Sequence, residues 1–287
     1  MCLGPGQGKS FIIITLANLL LDEDADRKVF ISVANKLVYH QLLLDVASHE
    51  LLANKITVLH GSDFSQVGPN DYLICDEADM YLKEGLMTFK NSSMTGLITA
   101  KQANLYLFSA TIDENDESML KTNFPDIEIL HMKTALEISG EAETSYNVSG
   151  RFWTDSIQAL DDMRKEVRLW SEKKPAIVFT SDHQTDVWDA IEESLKNEGH
   201  GIEVFRVDTY LEALQQRQLA SDATKGVWLV NREWSRGFDL KLADESKVFI
   251  FDIYGKLPIA EIMQMTGRAS RSQNVCKSRV WCVTERP

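Results

Sequence analysis

The chain has 287 residues, 44% hydrophobic and 25% charged. A single domain usually runs to roughly 100–200 residues, so this is the make-up of a soluble globular protein of about two domains. The net charge of −13 sits mostly in the first half, where residues 1–143 hold 10 Lys and Arg against 21 Asp and Glu, while 144–287 hold 20 against 22. An acidic first half argues against a broad, non-specific grip on nucleic acid. The longest apolar run, 11–21, is broken by Thr15 and Asn18. It falls short of the roughly 20 apolar residues a membrane span needs. Cys2, Cys75, Cys276 and Cys282 form no C-x-x-C pair, and no two histidines stand at metal-ligand spacing. Those spacings argue against a zinc site or a disulfide framework and suit reduced thiols in a soluble intracellular protein.

Taken in order, the chain opens on Gly4-Pro5-Gly6-Gln7-Gly8-Lys9-Ser10, followed by a helix predicted over 11–21. Glycines let backbone N–H groups crowd around phosphate oxygens, and the helix aims its positive end at them. A lysine there reaches the β- and γ-phosphates, and a serine hydroxyl holds Mg²⁺. A strict P-loop has glycine where this chain has Leu3, so taken alone the segment also fits an ordinary glycine turn. A strand over 28–33 and a helix over 36–52 follow, then strands over 56–59 and 72–75. Asp76-Glu77-Ala78-Asp79 comes directly after the last of these. Acidic residues at the C-terminal end of a buried strand sit where open α/β sheets bind ligands. One carboxylate can hold Mg²⁺ while its neighbour orients water. Ser109-Ala110-Thr111 ends the next strand, 104–109, and 127–130 reads as one more.

Residues 134–151, with Ser139-Gly140 and Ser149-Gly150, read as a linker or hairpin. The βα alternation then restarts with a helix over 155–171, a strand over 176–180, a helix over 186–195, and strands over 204–207, 227–230, 247–251 and 279–283. Short buried strands alternating with helices indicate parallel sheets covered on both faces. Arg236-Gly237-Phe238-Asp239 follows the 227–230 strand. In Gln264-Met265-Thr266-Gly267-Arg268-Ala269-Ser270-Arg271 the two arginines are three apart, which places them on one helix face.

In this order the segments resemble the motifs of superfamily 2 helicases, especially the DEAD-box branch. Gly4–Ser10 is similar to motif I, 34–41 to motif Ia, Asp76–Asp79 to motif II and Ser109–Thr111 to motif III. Ile177–Thr180 resembles motif IV, Arg236–Asp239 motif V and Gln264–Arg271 motif VI. The resemblance spans the whole chain. It implies an α/β fold of two tandem RecA-like domains, 1–143 and 144–287, each a mainly parallel sheet flanked by helices, with an ATP cleft between them.

The resemblance also implies roles. Gly4, Gly6, Gln7, Gly8 and Lys9 would bind the phosphates, Ser10 and Asp76 the Mg²⁺, and Glu77 the lytic water. Asp79, Ser109 and Thr111 would couple nucleotide state to domain closure. Gly237, Asp239 and Gln264 would face the nucleotide, and Arg268 and Arg271 would be arginine fingers. Asn35, Lys36, Thr180 and Arg236 would face the polymer, expected to be nucleic acid and RNA rather than DNA.

Three departures qualify that pattern. Only eight residues precede Lys9, which implies a missing or shortened upstream strand and a base that is poorly read. Met265 stands where RNA-acting members usually carry arginine, and motifs I and II are closer together than expected. Thr266–Arg268 and 236–242 also look somewhat like SecA-type ATPases, although no peptide-binding insertion fits between Asp76 and Ser109. A non-catalytic nucleotide-binding scaffold is the remaining alternative.

Overall fold

Five consecutive buried residues, VFISV, form strand β1 (Val29–Val33), and YLICD forms β3 (Tyr72–Asp76). Such unbroken burial needs cover on both faces of the sheet, and the side chains divide between them by alternation. Val29, Ile31, Val33, Tyr72 and Ile74 pack on one face with Ile13 and Ala17 of helix α1 (Lys9–Glu23) and Leu42 and Val46 of α2 (Lys36–Ala47). Phe30, Leu73 and Cys75 pack on the other, with α3 (Asp79–Leu82), α4 (Met94–Thr99) and α5 (Glu114–Asn123). With β2 (Ile56–His60) and β4 (Asn104–Leu107) these strands make an all-parallel sheet in the order β2-β1-β3-β4.

This computed structural model describes residues 9–24, 26–47, 55–61, 63–82, 94–100, 103–109, 112–130, 145–181, 185–197, 201–219, 225–235, 245–268 and 275–284. The chain divides into two compact units, Met1–Gly140 and Glu141–Pro287.

The second unit repeats the scheme with six parallel strands in the order β5-β10-β9-β6-β8-β7. They are β5 (Ser145–Trp153), β6 (Ala176–Thr180), β7 (Val204–Val207), β8 (Val227–Val230), β9 (Lys247–Ile253) and β10 (Val275–Val283). Its helices are α6 (Ser156–Ser171), α7 (Thr185–Asn197), α8 (Tyr210–Leu219) and α9 (Ile259–Thr266). Met163 and Val167 of α6 and Trp188 and Ile191 of α7 meet Val178, Leu229, Phe249, Phe251 and Trp281 in one core. Helix starts follow local chemistry. Asp155 Oδ1 accepts from Ile157 and Gln158 N–H at 2.8 and 3.2 Å ahead of α6, and Asp113 with Asp116 forms a reciprocal capping box on α5.

Three expectations change. Residues 145–151 are not a linker but most of β5, because Ser145–Trp153 pairs in register with Val275–Val283. That nine-residue pairing also lengthens β10 beyond the expected 279–283. Residues 127–130 do not form a strand. With β4 they line an apolar groove of about 410 Å³ that also takes in Leu16 and Leu120, so the stretch lies across an opening from the nearest strand. The helix expected over 36–52 is described to Ala47, and 48–54 lie outside the described residues.

Ile31 is fully buried in the middle of β1. Ile31→Ala should destabilise the chain by roughly 2–5 kcal/mol through lost burial and the cavity left behind, read as a lower urea midpoint by far-ultraviolet circular dichroism.

Candidate functional site

In unit one the backbone leaves the sheet at Asp76 and turns at once. Glu77 adopts a left-handed conformation with φ of 54°, which costs a non-glycine residue about 1–2 kcal/mol. Its neighbours hold it there. Glu77 N–H donates to Asp76 Oδ1 at 2.8 Å, and Ala78 N–H donates to Phe108 O at 2.8 Å. Met80 N–H then returns to Glu77 O at 2.8 Å, opening α3. Strain kept by several hydrogen bonds is a recurrent mark of functional backbone.

The turn is also tied to the end of β4. Ser109 Oγ donates to Asp79 Oδ1 at 2.6 Å, with Asp79 fully buried and Ser109 almost so. Beneath them Tyr81 and Ser32 hydroxyls lie 2.6 Å apart, and Ser32 donates to Gly61 O at 2.6 Å, so the phenol is the donor of the pair. Burial pushes the Tyr81 hydroxyl well above its usual range, helped by Cys75 and Asp76. Burial likewise raises the Cys75 thiol, with Asp76 adding to it. Both stay neutral under the carboxylates.

The fold thus brings Asp76, Glu77, Asp79 and Ser109 to one end of the unit-one sheet. Lys9 and Ser10 begin α1, but their side chains lie outside the described residues, as do Gly4, Gly6, Gln7, Gly8 and Thr111. Asn35 is buried, and its Oδ1 accepts from Leu37 and Val38 N–H at 2.8 and 3.2 Å, capping α2. Lys36 beside it is exposed.

In unit two, Thr180 ends β6 and is buried. Gln264 and Arg268 are borne by α9 and the residue pair after it, and both are buried, at 1% and 7% exposure. Gln264 Nε2 is buried without a hydrogen-bond partner among the described residues. Arg268 Nε donates to Ser235 O at 2.7 Å. Met265, the departure in this segment, is fully buried, so its side chain serves the core. Arg236, Gly237, Asp239 and Arg271 lie outside the described residues.

The sequence reading passed over Arg232, Glu261, Ser32 and Tyr81. Buried Arg232 and half-buried Glu261 form an ion pair whose partners lie 29 residues apart, a separation that carries no local signal.

The fold at this level of detail can be compared with solved structures. S. cerevisiae Dbp5 bound to RNA and ADP BeF3 is similar with a TM-score of 0.65 and 17% identity, over 99% of this chain and 78% of that one. Each unit, a parallel sheet flanked by helices, matches the tandem RecA-like domains of this structure. The DEAD-box helicase Mss116 bound to ssRNA and UDP-BeF gives 0.65 and 17%, over 98% of this chain and 66% of that one. The helicase MrfA bound to DNA and AMPPNP gives 0.63 and 12%, over 100% and 46%. The chain therefore spans about two thirds of Mss116 and less than half of MrfA. No protein-family model and no curated protein matches the sequence. The weaker likeness to SecA-type ATPases finds no support in these comparisons. Among the described residues no helix is long and apolar enough to cross a membrane.

Removing the Ser109 hydroxyl takes a buried hydrogen bond from a buried carboxylate. Ser109→Ala should cost about 1.5–3 kcal/mol, measured by urea denaturation. An unchanged midpoint would show that Asp79 does not depend on this donor.

Proposed function

We propose that the chain is an ATP-hydrolysing, helicase-type motor that acts on nucleic acid, with RNA preferred over DNA. The observation that carries this reading is the acidic turn Asp76–Asp79, which leaves a doubly covered parallel strand with Glu77 in a left-handed conformation and Asp79 bonded to Ser109. Likeness to helicases whose structures contain nucleic acid and nucleotide analogues supports it.

In this mechanism the glycine loop Gly4–Gly8 and Lys9 cradle the β- and γ-phosphates of ATP at the start of α1. Asp76 and Ser10 offer a carboxylate and a hydroxyl, hard oxygen donors suited to Mg²⁺, and the ion neutralises charge on the phosphates when bound. Glu77 orients a water and takes its proton as the water oxygen attacks the γ-phosphorus. The bond to the β–γ bridging oxygen breaks, releasing ADP and phosphate. Arg268 and Arg271 of the domain 144–287 would act as arginine fingers, and turnover would depend on closure with the domain 1–143. Gly237, Asp239 and Gln264 contact the nucleotide from that side. Asp79, Ser109 and Thr111 relay its state, while Lys36, Asn35, Thr180 and Arg236 form the polymer-facing edge.

ATPase assays with no polymer, single-stranded RNA, double-stranded RNA and DNA test this reading. RNA should raise the rate most, and a rate indifferent to every polymer would overturn the substrate assignment. Lys9→Ala should lose nucleotide binding, whereas Glu77→Gln should keep binding and lose turnover. Wild type turning over no faster than Glu77→Gln would instead identify a scaffold. Arg271→Ala should keep ATP affinity while kcat falls on the order of 10³-fold.

A further inference from the structure

Unit two contains a buried guanidinium outside the phosphate chemistry, at a junction of the segments that chemistry needs. Arg232 opens a 3-10 turn, Arg232–Ser235, directly after β8 and is 8% exposed. Its Nε donates to Glu261 Oε1 at 2.7 Å, and its Nη2 reaches the other oxygen of the same carboxylate. Its Nη1 donates to the Ser181 carbonyl at 2.9 Å.

Each partner is anchored elsewhere. Ser181 follows Thr180 at the end of β6, gives its N–H to Phe251 O at 2.8 Å and accepts Ile253 N–H on its Oγ at 2.9 Å. Glu261 stands in the first turn of α9, three residues before Gln264, a spacing that keeps these two on one helix face, and Arg268 follows just beyond the helix end. At the far end of that helix Arg268 Nε bonds the carbonyl of Ser235, the last residue of the same turn. The turn and the helix are therefore joined at both ends, Arg232 to Glu261 and Ser235 to Arg268. The turn leads into Arg236–Asp239, and the helix leads to Arg271.

The geometry points to Arg232 and Glu261 as a positioning pair that holds the 3-10 turn and α9 as one body, so that the nucleotide-facing groups of both segments are presented together. This rests on the function proposed above. A planar fork that meets a carboxylate with two N–H groups and a carbonyl with a third fixes orientation as well as distance, which a lysine ammonium cannot do. A simple stability role is the competing account, and it differs in what replacement does. A buried ion pair exchanged for apolar side chains of similar volume is often tolerated in stability, but the bidentate orientation is lost.

The test uses the whole chain carrying Arg232→Met with Glu261→Met, and separately Arg232→Lys. For the double variant the melting temperature should stay close to wild type and the KM for ATP should be unchanged. The kcat at saturating RNA should fall on the order of a hundredfold, the scale of an ångström-level misplacement of catalytic groups. In Arg232→Lys, amide hydrogen exchange should quicken together in 232–235 and 259–268, with the strands unchanged. Wild-type kcat in a folded double variant overturns the proposal. So does exchange that quickens in only one of the two segments, or loss of folding in both variants, which would assign the pair to stability alone. A wild-type chain with no ATPase activity would instead count against the motor reading, and the exchange experiment would still decide the coupling of the two segments.

Discussion

A parallel strand covered on both faces takes a polar side chain in its interior only where buried partners satisfy it, as for Ser32, and otherwise leaves polar groups to its exit from the sheet. That constraint arranges both units. YLIC is apolar, and Asp76 and Glu77 come at its exit; AIVF is apolar, and Thr180 and Ser181 come at its exit; VWLV is followed by Asn231 and Arg232. Each polar group then lies at the C-terminal edge of its sheet, where the chain must turn toward a helix and its backbone is free to take unusual angles.

Most polar groups at these edges remain buried and need partners, some of which come from neighbouring strand exits. Asp79 takes the Ser109 hydroxyl from the end of β4, and Arg232 takes the Ser181 carbonyl from the end of β6. Satisfying one segment therefore fixes the next. The left-handed Glu77 is an instance, since the bond from Ala78 N–H to Phe108 O holds the tetrad against the neighbouring strand exit. A site built this way can be stiff without being made of regular structure.

How much of this was legible in the sequence depended on the range of the interactions. The central strands could be read from local apolar runs, because burial on both faces removes polar residues from consecutive positions. The Asp76 tetrad and the Ser109 segment could be placed because each follows such a run. Strand β5 could not be read. Ser145–Trp153 is polar and contains Gly150, and it is a strand only because β10, about 130 residues later, pairs with it. The Arg232–Glu261 pair was invisible for the same reason. Asn35 gave the opposite lesson: its place ahead of α2 is as much that of a helix cap as of a polymer contact, and its oxygen is spent on Leu37 and Val38.

The edge of unit one has a bearing on how the protein behaves in bulk. Asn104 and Phe108 turn their N–H groups toward β3, so the alternation directs the backbone of Leu105 away from it, toward the groove shared with Ile127–Leu130. No lysine or proline interrupts Asn104–Leu107, and those are the residues that commonly keep an outer strand from recruiting another chain. Among the described residues the opening is apolar and borders a strand edge. An outer strand without such residues bears on self-association at high concentration, a property seated far in sequence from the arginines of unit two.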